Sequence, residues 1–190
     1  MSTRSRWGAA GLVGLYLIWG LLAWSGKPAE LVNDSYRFYP AERGLNWGAV
    51  FEPLNGGITT VVLFSTVYEP SAIAGIQVLA FMMASALLAL GVLARLGGHW
   101  TGWVIATLAL IISLQPAIWS THMVLASESL AFTSVTLWLA AIVWLTALRQ
   151  ESWAGPVLLT GALGLVAATR PQMMLALVPG QLVLLVWSFR

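Results

Sequence analysis

The chain has 190 residues, of which 59% are hydrophobic and only 8% charged, with a formal net charge of +2. Soluble domains carry about 25% charged residues, so a surface this poor in charge must face lipid. Lys and Arg are neither abundant nor clustered, which excludes a nucleic-acid surface. The absence of cysteine excludes a disulfide framework, Cys-ligated zinc and thiol catalysis.

A hydrocarbon core about 30 Å thick needs ~20 apolar residues per helix. The first uncharged stretch, 7–26, follows Arg4 and Arg6 and is too long for the apolar core of a signal peptide, so it reads as a retained helix. The only long polar stretch, 27–72, comes next. It holds Lys27, Glu30, Asp34, Arg37, Glu42, Arg43, Glu52 and Glu69, together with Pro28, Pro40, Pro53 and Pro70. Its part from Tyr36 to Trp47 mixes aromatics with charges, as a helix lying among headgroups does. The apolar stretch 55–68 opens on Asn55-Gly56-Gly57 and reads as a second interfacial or re-entrant piece, with an extra membrane span as the alternative.

Further membrane helices are predicted over 73–94, 102–120, 129–148, 154–169 and 172–189. The last two meet at Arg170-Pro171. Proline cannot donate a backbone hydrogen bond and disfavours helix in the residue before it, so a tight hairpin is expected there. The expected fold is therefore an all-α polytopic transmembrane bundle of about six helices. It forms a single domain over 1–190, with 27–72 as a long first extracytoplasmic loop.

With the N-terminus in the cytoplasm, Arg4, Arg6, Arg95, Arg149 and Arg190 fall inside and Lys27, Arg37, Arg43 and Arg170 outside, a modest positive-inside bias. The acids are more lopsided. Glu30, Asp34, Glu42, Glu52, Glu69 and Glu128 fall outside, and only Glu151 inside. The long loop accounts for most of them, but Glu128 sits in a short connection. There Ser127 can cap the helix that follows, and the helix dipole favours an acid in the first turn. His122, in the same connection, reads as a hydrogen-bonded loop residue. A metal site built from Asp34, His122 and Glu128 requires their convergence. Arg170 suits a phosphate, since its planar fork binds two oxygens at once; pairing with an acid is the alternative. The eleven tryptophans fall mostly near helix ends, among them Trp7, Trp24, Trp47, Trp100, Trp119 and Trp153, as in an interfacial belt. Trp47 and Trp119 could also stack on a sugar.

Four features in order give this chain its resemblance to a family. A first helix leads to an outer loop opening on Asn33-Asp34-Ser35-Tyr36. A helix containing Ile76-Gln77-Val78-Leu79 leaves through Ala94-Arg95-Leu96-Gly97-Gly98. A helix ending near Gln115-Pro116-Ala117 precedes Ser127-Glu128-Ser129-Leu130. A Gly-rich helix, Gly161-Ala162-Leu163-Gly164-Leu165, closes on Thr169-Arg170-Pro171. This order resembles the polytopic glycosyltransferases of the GT-C class, the superfamily of protein O-mannosyltransferases and aminoarabinose transferases.

The resemblance implies an enzyme of the prokaryotic cytoplasmic membrane working on the extracytoplasmic face. Its donor would be a polyprenyl-phosphate-linked sugar and its acceptor a glycan, lipid or protein, with inversion at the anomeric carbon. Asp34 matches the acid of the first outer loop, the class's usual catalytic base. Glu128, Arg170, His122 and Glu42 become candidate substrate-binding residues. A divalent metal is compatible with the class, whose members differ in metal dependence. Such enzymes run on for hundreds of residues, so 1–190 is expected to be an N-terminal module. A non-catalytic lipid-binding or assembly subunit and a small transporter are the alternatives. No predicted helix carries a charge at its centre, which argues against transport.

Overall fold

The computed structural model describes residues 2–25, 27–29, 57–67, 69–123, 127–148, 160–164, 168, 177–182 and 186. Among them the regular structure is entirely helical. We label the helices α1 (Thr3–Trp24), α2 (Gly57–Thr66), α3 (Pro70–Arg95), α4 (Trp100–Ser113), α5 (Pro116–Met123) and α6 (Ser127–Leu148). Residues 160–164 and 177–182 are helical as well.

Among the described residues three helices, α1, α3 and α6, are long and apolar enough to cross a membrane, and a fourth span exists if the bent pair α4–α5 counts as one. At 1.5 Å per residue, the 22 residues of α1 and of α6 reach about 33 Å and the 26 residues of α3 about 39 Å. The 10 residues of α2 reach only about 15 Å, too short to span. The spans expected over 154–169 and 172–189 lie largely outside the described residues, as do the Tyr36–Trp47 piece and the turn at 170–171.

The stretch expected as a span over 102–120 is built from two helices. The chain leaves α4 at Ser113 and restarts at Pro116 as α5, bent by 58°. The cause is local. Proline at 116 cannot bond back to the preceding turn, and it pushes Gln115 out of helical geometry, while it suits the first position of a new helix.

Helix α3 is the centre. It packs against α1, α4, α5 and, most extensively, α6. Its buried surface is rich in small residues, including Ala74, Gly75, Ala84, Ser85, Ala86, Ala89 and Gly91, which let neighbouring backbones come close in lipid. At Gly91 the missing Cβ admits Trp144 of α6, whose Cδ1 and Nε1 lie 3.1 Å from where a Cβ would stand. That approach lets Trp144 Nε1 donate to the Leu87 carbonyl at 2.9 Å. Earlier in α6, Ala162, Leu163, Leu177 and Val178 gather around Trp138, whose indole donates to Gln181 Oε1 at 2.8 Å.

The ends of α3 are both marked in the sequence. Glu69 stands at the N-cap, with Pro70 at the first position, and Ser71 Oγ donates to the Glu69 carboxylate at 2.8 Å. At the other end the Gly98 amide reaches back to the Leu93 carbonyl at 3.1 Å and the Gly97 amide to Ala94 at 3.4 Å. Both glycines have positive φ, 63° and 77°. This is a Schellman closure, which glycine adopts without steric cost. It returns the chain to α4 within a few residues, so α3 and α4 lie antiparallel. One end of the bundle thus carries Arg4, Arg6 and Arg95, and the opposite end carries Glu69 and Glu128.

Candidate functional site

The acidic end holds the groups from which a site can be built. The break between α4 and α5 turns the chain aside by 58°. Beside it lies a cavity of about 560 Å³, bordered by Trp19 of α1, by Lys27 and Pro28 just beyond α1, and by Leu114, Pro116, Trp119 and Ser120. Most of this wall is apolar. Lys27 is exposed and supplies the positive charge at its rim. Ser120 uses its hydroxyl to donate to the Ala117 carbonyl at 3.0 Å.

Behind the cavity the chain buries polar groups. His122, expected in a loop, instead lies in α5 and is fully buried. The physical reason is again Pro116: it starts a helix that includes His122, where the sequence suggested a connection. The imidazole stacks on Phe81 of α3 at 3.9 Å between ring centres and meets Phe132 of α6 edge-on at 6.4 Å. Its Nδ1 lies 2.7 Å from Ser129 Oγ. His122 Nε2 and Trp119 Nε1 are both buried without a hydrogen-bond partner among the described residues. Glu128 is half-buried in the first turn of α6, as its sequence position implies. The structure therefore brings His122 to the Ser127-Glu128-Ser129 segment through Ser129.

Deeper in the bundle a second polar group ties α1 to α4. Ser113 Oγ stands 2.9 Å from the Tyr16 hydroxyl and 2.7 Å from the Leu110 carbonyl. Ser85 of α3 also bonds the phenol. Neither this group nor the His122–Ser129 pair is signalled by spacing, since Tyr16 and Ser113 are 97 residues apart.

The remaining sequence candidates, Asp34, Glu42 and Arg170, lie outside the described residues, as does Trp47. Among the described residues no three His, Asp or Glu side chains come together as metal ligands. His122, held between two aromatic rings, offers only a buried Nε2. The tryptophans divide. Trp7 and Trp100 are largely exposed, as a belt residue should be. Trp24 is half-buried and covers Gly75 at 3.0 Å. Trp119 is only 4% exposed, so it is a packing residue bordering the cavity and not part of the belt.

No known protein family, curated protein or solved structure matches the chain.

Proposed function

We propose that the chain is a membrane glycosyltransferase module of the GT-C kind, which transfers a sugar from a polyprenyl-phosphate donor to an acceptor hydroxyl on the extracytoplasmic face. The observation that carries this reading is the cavity beside the α4–α5 break, with an apolar, aromatic wall and Lys27 at its rim. A polyprenyl phosphate has the complementary chemistry: an apolar chain continuous with the bilayer and an anionic head that needs a cation. The order of motifs from Asn33-Asp34 to Thr169-Arg170-Pro171 gives the second support.

In this reading Asp34 takes the proton from the acceptor hydroxyl as its oxygen attacks the anomeric carbon. The bond to the lipid phosphate breaks with inversion, and the departing phosphate takes up the negative charge. Lys27 and Arg170 stabilise that charge, the role cations play wherever charge develops in a transition state. Glu128 and Glu42 orient the acceptor, and His122 holds the Glu128 segment in place through Ser129.

The test uses the full-length protein in vesicles supplied with polyprenyl-phosphate sugars. Asp34→Asn is expected to lower transfer by at least about a hundredfold, in line with loss of a general base, with membrane insertion unchanged. Lys27→Gln is expected to raise the KM for the donor. Wild-type rates in Asp34→Asn would overturn the assignment of the base. Donor-binding without any transfer in the wild-type protein would favour a lipid-binding subunit that keeps the same cavity.

A further inference from the structure

The end of the bundle opposite the cavity carries a second surface, built from two distant parts of the chain. Ser5 of α1 packs so closely on Gly98 that a side chain there would collide with its hydroxyl. One turn later Gly8 faces Trp103 of α4, with only 3.0 Å between the indole and the position of a Cβ. Trp103 Nε1 in turn donates to the Gly98 carbonyl at 3.2 Å. The first turn of α1 is thereby seated on the α3–α4 turn. Arg4 and Arg6 flank Ser5, and Arg95 lies three residues before Gly98. All three arginines are exposed. Trp7, 75% exposed, and Trp100, 67% exposed, stand beside them. The two acids among the described residues, Glu69 and Glu128, are both at the far end.

We propose that this surface binds the headgroups of anionic phospholipids in the leaflet it meets. Guanidinium forks pair with phosphate through two parallel hydrogen bonds. Exposed indoles beside them mark the depth at which helix ends leave the hydrocarbon, so the phosphate offered there belongs to a lipid and not to a soluble ligand. Arg4 and Arg6 come from α1 and Arg95 from α3, so both helices present cations to the same leaflet. Each basic residue near an anionic surface strengthens association about fivefold.

The test is lipid selectivity, measured with the full chain reconstituted in phosphatidylcholine vesicles and probed with spin-labelled phosphatidylglycerol or phosphatidylcholine. The protein-associated fraction is expected to favour phosphatidylglycerol severalfold. R4Q/R6Q/R95Q should abolish that preference, and high salt should weaken it. The charge-preserving R4K/R6K/R95K should retain part of it, which shows that loss in the glutamine variant is not misfolding. Unchanged selectivity in the glutamine variant would overturn the proposal, as would equal selectivity in the lysine variant and the wild type with loss only in Lys27→Gln. Displacement of the labelled lipid by millimolar inorganic phosphate would also overturn it, because the surface would then bind a soluble anion.

Discussion

At the arginine end the chain passes from α3 to α4 through a tight glycine turn and leaves its charges outside. At the acidic end it passes from α4 to α6 by way of an eight-residue helix set at 58° to α4, and takes an imidazole inside. Lipid supplies no hydrophobic force between helices, so position must come from close packing and from hydrogen bonds. The arginine end uses the first means: Gly8 and Gly98 bring α1 against the turn, and no buried ionisable group is needed. The acidic end, where Trp24 also lies close on Gly75, adds the second. It has a cavity to frame, so close packing is interrupted there, and His122, Ser129, Tyr16 and Ser113 hold the helices apart at a fixed spacing. The end that is packed shut presents a flat charged surface, and the end that is propped open presents a concave one.

Breaking the tight turn should have the largest effect. Gly98→Val forces a β-branched residue into φ 77° and against Ser5. Backbone strain of about 1–3 kcal/mol adds to the overlap, for an expected loss of about 3 kcal/mol. The check is denaturant unfolding in mixed micelles, with a smaller loss for Gly98→Ala. If Gly98→Val is as stable as the wild type, α1 is not seated by that turn, and the arginine surface loses its scaffold.

The acidic end should respond to His122→Ala with a loss of about 2 kcal/mol, from the vacated space against Phe81 and the unpaired Ser129 hydroxyl. His122→Phe fills the space but leaves Ser129 unpaired, so about 1 kcal/mol should persist. The ratio of the two losses separates ring packing from the hydrogen bond. A larger loss for His122→Phe than for His122→Ala would mean that the pocket rejects a slightly different ring, and that the acidic end is as tightly packed as the arginine end.

The difference between the ends also explains what could be read in the sequence. Long uncharged runs located α1, α3 and α6, because a bilayer sets a minimum length and excludes charge. Gly97-Gly98 after Arg95 marked the exit of α3, since only glycine takes the closing conformation easily. The helix expected to end at 120 runs on to Met123, and so takes in His122, which reads from the sequence as part of a connection. In a protein whose lipid-facing and core-facing sides are both apolar, Ala117-Ile118-Trp119-Ser120-Thr121-His122-Met123 gives no contrast from which a buried side could be read. Pro116 signalled the break, but nothing local to His122 pointed to Phe81, 41 positions earlier. Of the proposed site, Glu128 was placed correctly in a first helical turn. The His122–Ser129 pairing and the Lys27 cavity depend on packing between separate helices and had no sequence signature.

The smallest expected effect tests whether the hydrogen bonds at the propped end act as spacers or merely fill it. Tyr16→Phe removes the hydroxyl that meets Ser113 and Ser85, three groups from three helices. Interhelical hydrogen bonds in membranes average only ~0.6 kcal/mol, so a loss below about 1 kcal/mol is expected. Ser113→Ala should cost still less, because Tyr16 keeps Ser85 as a partner and the deleted hydroxyl also served the Leu110 carbonyl of its own helix. The informative quantity is the double variant. If the pair sets the α1–α4 spacing, the two losses are not additive, since the second substitution removes an interaction already gone. The same spacing fixes the distance from Trp19 on α1 to Pro116 beyond α4, which border the cavity. A coupled pair should therefore also weaken retention of a polyprenyl phosphate in that cavity. Additive losses with unchanged lipid retention would show that the cavity is held open by the Pro116 bend alone.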